Sequence, residues 1–219
     1  MNCYGFSGPL ILPNNLTLID QYVFYNCHGM TGSLYIPRPI SQIGDFAFYN
    51  CYGFTGDLSI NNSVGSIGTN AFNNCFGFQG NLKMLNSITT FGEKSFYNCH
   101  GFTGPLVFSN NLQILPQHCF YNCYGFSGNL SISNKIGKVW DYCFYNCTGL
   151  ELLIYTNSIN TICPYAFYNC YRLSGPMLLY NSTNTIGEYA FYNMDLLENL
   201  DHQFILQRLN LIHFIIAVD

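Results

Sequence analysis

Residues 99–122, CHGFTGPLVFSNNLQILPQHCFYN, are one copy of a unit that repeats along most of the 219-residue chain. A cysteine opens each copy, and the step between successive cysteines is 24 residues six times and then 23. The cysteines that open the eight copies are Cys3, Cys27, Cys51, Cys75, Cys99, Cys123, Cys147 and Cys170. A fixed period of this length is typical of a solenoid, in which each unit buries its apolar face against its neighbours.

The apolar positions within the unit predict its local structure, counting the opening cysteine as position 1. Positions 8 and 10 are apolar and position 9 varies, which is typical of a half-buried strand. Positions 14–17 predict a second short extended piece, and glycines at positions 3 and 6 provide the backbone freedom of a tight corner. Positions 19–24 are too few for a stable helix, so we expect one turn of α or 3₁₀ helix there.

Two polar or aromatic positions recur with the same period. Asn occupies position 24 in all eight copies and position 12 in seven, so we expect asparagine side chains to bond from coil to coil. Tyr occupies position 23 in seven copies, with Asn73 as the exception. Packing against the next coil is the favoured interpretation of this tyrosine stripe, and stacking on a sugar or protein ligand is the alternative.

Charged residues make up 8% of the chain, against roughly 25% in typical soluble proteins. The net charge is −4, and the chain has seven Lys and Arg in total. Nucleic-acid binding needs a basic stripe, so this class of partner is not expected. The repeats contain no basic amphipathic helix, so we expect no membrane insertion by them.

The eleven cysteines do not have the spacing of a metal site, so no metal or cofactor is expected. Eight of them share one position of the repeat and should form a ladder of buried free thiols. If a disulfide is present, Cys119 and Cys143 are the favoured pair, because they share a second position in neighbouring coils.

The sequence does not predict an enzyme. His118 and Cys119 are neighbours, and Cys-His pairs recur at residues 27–28 and 99–100, but adjacent residues on a short turn rarely point at each other. The acidic residues are scattered over different positions of the repeat and suggest no acid–base pair. We therefore expect no catalytic residues.

Binding is expected on the outward strand positions, because they vary while the core positions do not. The candidate ligand-facing residues are Tyr35, Ser59, Lys83, Val107 and Ser131 at position 9, and Asn61, Ser109 and Ser133 at position 11. Neutral variation on a solvated face explains the same pattern equally well.

The two ends of the chain predict further features. The first coil follows Met1 directly, so we expect a fragment, an incomplete sequence or a coil capped by a partner, and self-association through this coil. Residues 194–219 begin a partial ninth repeat and continue into an apolar tail, interpreted as a cap. A truncated membrane anchor is the alternative, although the tail is shorter than a spanning helix.

The repeat resembles the BspA-like, or Treponema-type, class of leucine-rich repeat. The family phrase is a Leu–Ile strand followed by Pro, an Ile-Gly step, Ala-Phe and then Cys, and residues 34–37, 43–44, 47–48 and 51 match it. Residues 58–60, 67–68, 71–72 and 75 match it again without the Pro. Asp20, Pro116, Trp140 and Cys163 replace the glycine of the step elsewhere, which leaves the fold unaffected.

The resemblance implies an α/β leucine-rich-repeat solenoid over residues 1–193, a strand-dominated parallel stack of eight coils of about 24 residues with short helical turns. It also implies a non-enzymatic binding protein, at the cell surface or secreted, that adheres to host protein or glycan. The alternative is an intracellular, cytoplasmic scaffold for protein–protein interaction. The absence of a leader and the reduced thiols favour that alternative.

Overall fold

The computed structural model describes residues 3, 5–84, 87–154, 158–174 and 183–194. Within these residues the chain is a solenoid of short parallel strands. In chain order they are β1 (Gly8–Pro9), β2 (Met30–Ile36), β3 (Gln42–Ile43), β4 (Phe54–Ile60), β5 (Ser66–Ile67), β6 (Leu82–Met84), β7 (Thr90–Phe91), β8 (Leu106–Val107), β9 (Gly128–Ser131), β10 (Lys138–Val139), β11 (Leu150–Ile154), β12 (Thr161–Ile162) and β13 (Thr185–Ile186).

The predicted strand at positions 8–10 is confirmed and forms the longer face of the solenoid. Strands β1, β2, β4 and β6 pair in that order, and β8, β9 and β11 continue the face in a second sheet. A bridge between Asn81 and Thr103 connects the two sheets. The pairing is in register, so that Leu34 lies beside Leu58 and Leu58 beside Leu82. One side of every strand therefore packs inward as a continuous apolar layer.

The second extended piece is also confirmed. Strands β3, β5 and β7 form one sheet and β10, β12 and β13 form another, all with parallel pairing. Bridges from Ile19 to Ile43 and from Leu115 to Val139 extend these sheets by one coil each. This second face closes the cross-section opposite the longer strands.

The corner at positions 19–24 differs from the expected helical turn, because no helix is present in the described residues. In residues 44–50, Ala47 N donates to Gly44 O and Tyr49 N donates to Phe46 O, as in successive β-turns. The alternate groups, such as Phe48 N at 2.7 Å from Ala71 O, donate to the next coil. Phe46 and Asn50 have φ of 55° and 58°, and left-handed residues at this spacing prevent an α-helix.

The core is built from stacked rings. The phenylalanines at position 22 form one column from Phe24 to Phe191, with ring centroids 5.0–5.8 Å apart. A shorter column at position 4 runs from Phe54 through Phe78 and Phe102 to Phe126. Each ring packs on the ring of the next coil, so the core is continuous along the axis although no coil could bury it alone.

The glycines at positions 3 and 6 of the repeat serve different purposes. Position 6 has positive φ at Gly8, Gly32, Gly104 and Gly128, which is the backbone freedom that the sequence predicts. Position 3 is different: a Cβ on Gly53 would overlap the carbonyl oxygens of His28 and Met30 in the preceding coil. Glycine at position 3 is therefore required by the close approach of two coils in the coils of Gly29, Gly53, Gly77, Gly101, Gly125 and Gly149.

The short seventh repeat contains a bulge. The pairing of β11 with β9 shifts register between Leu150 and Leu152, and Ile154 then lies beside Ser131. The missing residue is thus absorbed before position 8, and the strand returns to phase.

The predicted ladder of buried free thiols is confirmed from Cys51 to Cys170 and is wrong for the first two cysteines. Cys3 and Cys27 form a disulfide, with Cα atoms 4.6 Å apart, whereas the other nine cysteines are free and buried. The favoured pair was wrong, because Cys119 and Cys143 are both free. Each inner ladder thiol donates to the carbonyl of the position-22 phenylalanine two copies earlier in the sequence, as Cys99 does to Phe72 O at 2.9 Å.

Candidate functional site

The exposed side of the longer sheet face brings the position-9 candidates into one row. Tyr35 pairs with Ser59 and Ser59 with Lys83, and Val107 pairs with Ser131 in the second sheet. Tyr35 and Val107 are 56% and 54% exposed. The row therefore runs across neighbouring strands at the same position of each coil. The backbone is regular along the row, and the side chains differ from coil to coil.

Polar contacts join neighbouring coils along the first part of the row. Asn61 Nδ2 donates to the Tyr35 hydroxyl at 3.2 Å, and Arg38 Nε donates to Asn61 Oδ1 at 2.9 Å. Lys83 pairs with Asp57, and the hydrogen bond from Lys83 lowers the pKa of the Asp57 carboxyl. These residues thus hold one another in place on the surface.

Ser109 does not share this surface, in contrast to the prediction. It is 2% exposed, and its hydroxyl accepts a hydrogen bond from Asn111 N at 3.1 Å. Strand β8 ends at Val107, one residue before the corresponding point in β4, and Ser109 lies beyond that end with its side chain in the interior. Ser133, the position-11 residue of the next coil, is half-buried and donates to Leu112 O at 3.3 Å.

A groove of about 480 Å³ lies beside the row, between the coils that begin at Cys99 and Cys123. Val107, Ser131 and Ser133 line it together with Asn110 and Asn134, which belong to the position-12 asparagines, and with Asn111 and Lys135, which the sequence did not single out. Buried Phe108 and Ile132 lie beneath. Lys135 Nζ donates to Asn111 Oδ1 at 2.9 Å across the groove.

The tyrosine stripe packs against itself. Rings at position 23 stack from Tyr97 to Tyr192 with centroids 4.7–4.8 Å apart. A second outer column at position 2 runs from His28 to Tyr124. Because each inner ring is covered on both faces, these columns present ring edges to solvent, which disfavours stacking on a sugar.

The thiols have the environment of structural cysteines. Burial raises the pKa of Cys51, Cys119 and Cys170 from the ordinary 9.0 to about 12. Cys119 Sγ contacts Ser95 Oγ at 3.1 Å inside the core, whereas the neighbouring His118 stacks on Tyr142 outside it. Burial also lowers the pKa of His118, and Lys94 adds to this effect. The described residues contain no group of three or more side chains suited to a metal ion.

In the described part of the chain, no helix has the length and apolar character needed to cross a membrane. The predicted C-terminal cap, residues 194–219, lies outside the described residues except for Met194, which is buried.

Comparison with known proteins matches the chain to one family model. The model of the BspA type leucine rich repeat region matches in six copies, over residues 2–127 and 105–214. No curated protein matches the chain.

Solved structures of similar proteins include a leucine-rich-repeat protein of Treponema pallidum, with 22% identity, 81% of this chain and 84% of that chain covered, and a TM-score of 0.66. A leucine rich cell surface protein of Faecalibacterium prausnitzii has 19% identity, coverage of 78% and 63%, and a TM-score of 0.41. A leucine-rich repeat protein of Bacteroides ovatus has 20% identity, coverage of 85% and 72%, and a TM-score of 0.34. The T. pallidum structure supports the fold alone.

Proposed function

The chain belongs to the BspA-type leucine-rich-repeat family, whose repeats build binding scaffolds, and we propose that it is a surface or secreted adhesion protein. In this proposal the exposed side of the longer sheet face binds a host protein or glycan. The protein is not an enzyme, and its partner takes no part in a covalent step.

One observation supports the choice of this face above the others. The in-register row from Tyr35 to Lys83, continued by Val107 and Ser131, places an aromatic, a cationic, an apolar and two hydroxyl side chains on adjacent coils. The corner, by contrast, repeats tyrosine and asparagine whose rings and amides bond to one another. Specific recognition requires side chains of different chemistry held in fixed positions by a rigid backbone.

A pair of matched variants tests the binding face. Ser59→Arg places a long cationic side chain in the middle of the row, and Thr90→Arg places the same side chain on the exposed part of β7, on the other sheet. In a screen of the full chain against host matrix proteins and an array of glycans, we expect Ser59→Arg to lose binding at least tenfold and Thr90→Arg to retain it. Equal binding by both variants contradicts the proposal.

The intracellular scaffold is the second candidate, and the nine buried free thiols favour it. Protease treatment of intact source cells, followed by peptide identification, separates the two. Peptides released from intact cells support the surface assignment, and peptides that appear only after lysis support the scaffold.

Self-association through the first coil remains a proposal. Phe6 and Ile11 of that coil are 64% and 86% exposed, and both would be covered by a second copy of the chain. Light scattering at increasing concentration is expected to show dimers or larger species. A monomer at all concentrations contradicts it.

A further inference from the structure

The groove between the fifth and sixth coils has a chemistry unlike the rest of the binding face. Amide groups of Asn110, Asn111 and Asn134 and the hydroxyl of Ser131 line its walls, and Val107 contributes an exposed apolar patch. Amides and hydroxyls both donate and accept hydrogen bonds, so this lining matches a ligand rich in hydroxyl groups. The volume of about 480 Å³ falls within the range of small-molecule sites.

The charge of the residues that line the groove indicates which class of ligand fits it. The chain carries a net charge of −4, yet among the described residues that line the groove Lys135 is charged and none is acidic. The lysine amine is held across the groove by Asn111 Oδ1 at 2.9 Å. A carboxylate entering the groove would therefore meet a positioned cation without competition from a neighbouring acid.

The pairing of the strands disfavours an extended peptide at this place. Peptides commonly bind sheets by adding a strand to a free edge. Here β8 and β9 are already paired with each other, Leu106 with Leu130 and Val107 with Ser131, and the groove lies above this pair. The site presents side chains rather than a free edge.

We propose that this groove binds an acidic glycan, with the sugar hydroxyls on the asparagine and serine groups and the sugar carboxylate on Lys135. This inference rests on the proposed function, which it deepens by naming the ligand class and the coils that hold it.

An array of sialylated, uronate-containing and neutral oligosaccharides, probed with the full chain, tests the ligand class. We expect at least one acidic glycan to bind more tightly than its neutral counterpart, and the difference to shrink in 0.5 M salt. Lys135→Gln should weaken acidic-glycan binding about five- to tenfold and leave neutral glycans unchanged. Lys94→Gln removes the same charge from the corner and should bind as the unaltered chain does.

A second pair of variants tests the groove independently of charge. Ser131→Phe fills the space beside Val107 and should abolish glycan binding, whereas Thr90→Phe adds the same ring on the other sheet and should not. Circular dichroism of all variants confirms that they fold.

Each outcome decides a separate point. Acidic and neutral glycans bound equally, or Lys135→Gln indistinguishable from the unaltered chain, overturns the acidic-glycan site. Binding of an acidic peptide that depends on Lys135, with no glycan bound, also overturns it but leaves the proposed adhesion function standing. Loss of binding in Ser59→Arg without any effect of Lys135→Gln places the ligand elsewhere on the same face.

Discussion

Asn98 shows why one residue type occupies position 24 of every coil. Its side-chain Nδ2 donates to Asn74 Oδ1 at 2.9 Å, and its Oδ1 accepts from Asn122 Nδ2 at 3.0 Å. Its backbone has φ of 58°, a left-handed conformation that Asn adopts more readily than other residues with a side chain. The same bonds continue through all eight asparagines, from Asn26 to Asn193.

Substitutions at Asn98 separate these two contributions. Asn98→Ala removes both hydrogen bonds and puts in the left-handed region a residue that adopts it less readily than Asn, so we expect a loss of about 2–4 kcal/mol in the free energy of unfolding. Asn98→Gly removes the same bonds without the backbone penalty and should cost about 1–2 kcal/mol less than Ala. Urea denaturation measures both. A Gly variant as destabilised as the Ala variant would show that backbone conformation contributes nothing at this position.

The buried thiols predict that the folded chain becomes less stable at alkaline pH. Cys51, Cys119 and Cys170 have an ordinary thiol pKa of 9.0 in the unfolded chain and about 12 in the folded one. Between these values the unfolded chain has lost the proton and the folded chain keeps it, so the free energy of unfolding falls as pH rises from 9 towards 12. Each thiol contributes about 1.4 kcal/mol per pH unit to this slope.

Double substitution of Cys119 and Cys170 by alanine provides the control. The tyrosines, including Tyr97 and Tyr121, also have a raised pKa and remain in both proteins. Urea titrations at several pH values should therefore give a slope that is shallower by about 2.7 kcal/mol per pH unit in the double variant. An unchanged slope would mean that these thiols ionise equally in the folded and unfolded chains.

At the scale of the element, the turn after each cysteine depends on how closely two coils approach. Gly53→Ala forces a Cβ against the His28 and Met30 carbonyl oxygens, which are backbone atoms and cannot move aside. We expect a loss of about 2–4 kcal/mol. Gly65 lies in the same coil, and a Cβ there would find its nearest neighbour at 3.8 Å, so Gly65→Ala should be neutral or slightly stabilising. Thermal melting compares them, and equal melting temperatures would contradict the explanation.

The sequence predicts a structural element where the residues that form it recur with the 24-residue period. The end of β4 from Leu58 to Ile60, the asparagine column and the row through Ser59 all follow from one residue type or pattern recurring every 24 residues, whereas β4 begins earlier, at Phe54, in the predicted corner. The turns at the corner could not be predicted from the sequence. Phe46 has a left-handed φ and its backbone N donates to the next coil, but no glycine at this position indicates that conformation. The groove was not predictable either, since the repeat pattern does not indicate that Ser109 is buried while Ser133, at the same position of the next coil, is half-buried.

At the scale of the molecule, each coil contacts its neighbours, so a whole coil should be removable. Deletion of residues 99–122 joins Asn98 to Cys123 and keeps every column in phase, as does deletion of residues 51–74. We expect both shortened chains to fold, with a loss of about 1–4 kcal/mol in the free energy of unfolding. Deletion of residues 99–110 shifts every later column by half a unit and should prevent folding of the chain.

The two in-phase deletions also separate stability from binding. Removal of residues 99–122 takes away Val107, Asn110 and Asn111, and with them one wall of the groove, while removal of residues 51–74 leaves the groove complete. Acidic-glycan binding should therefore be lost in the first deletion and kept in the second, at similar stability by circular dichroism and thermal melting. If the two shortened chains bind equally, recognition is a property of the repeated face and not of the groove between the fifth and sixth coils.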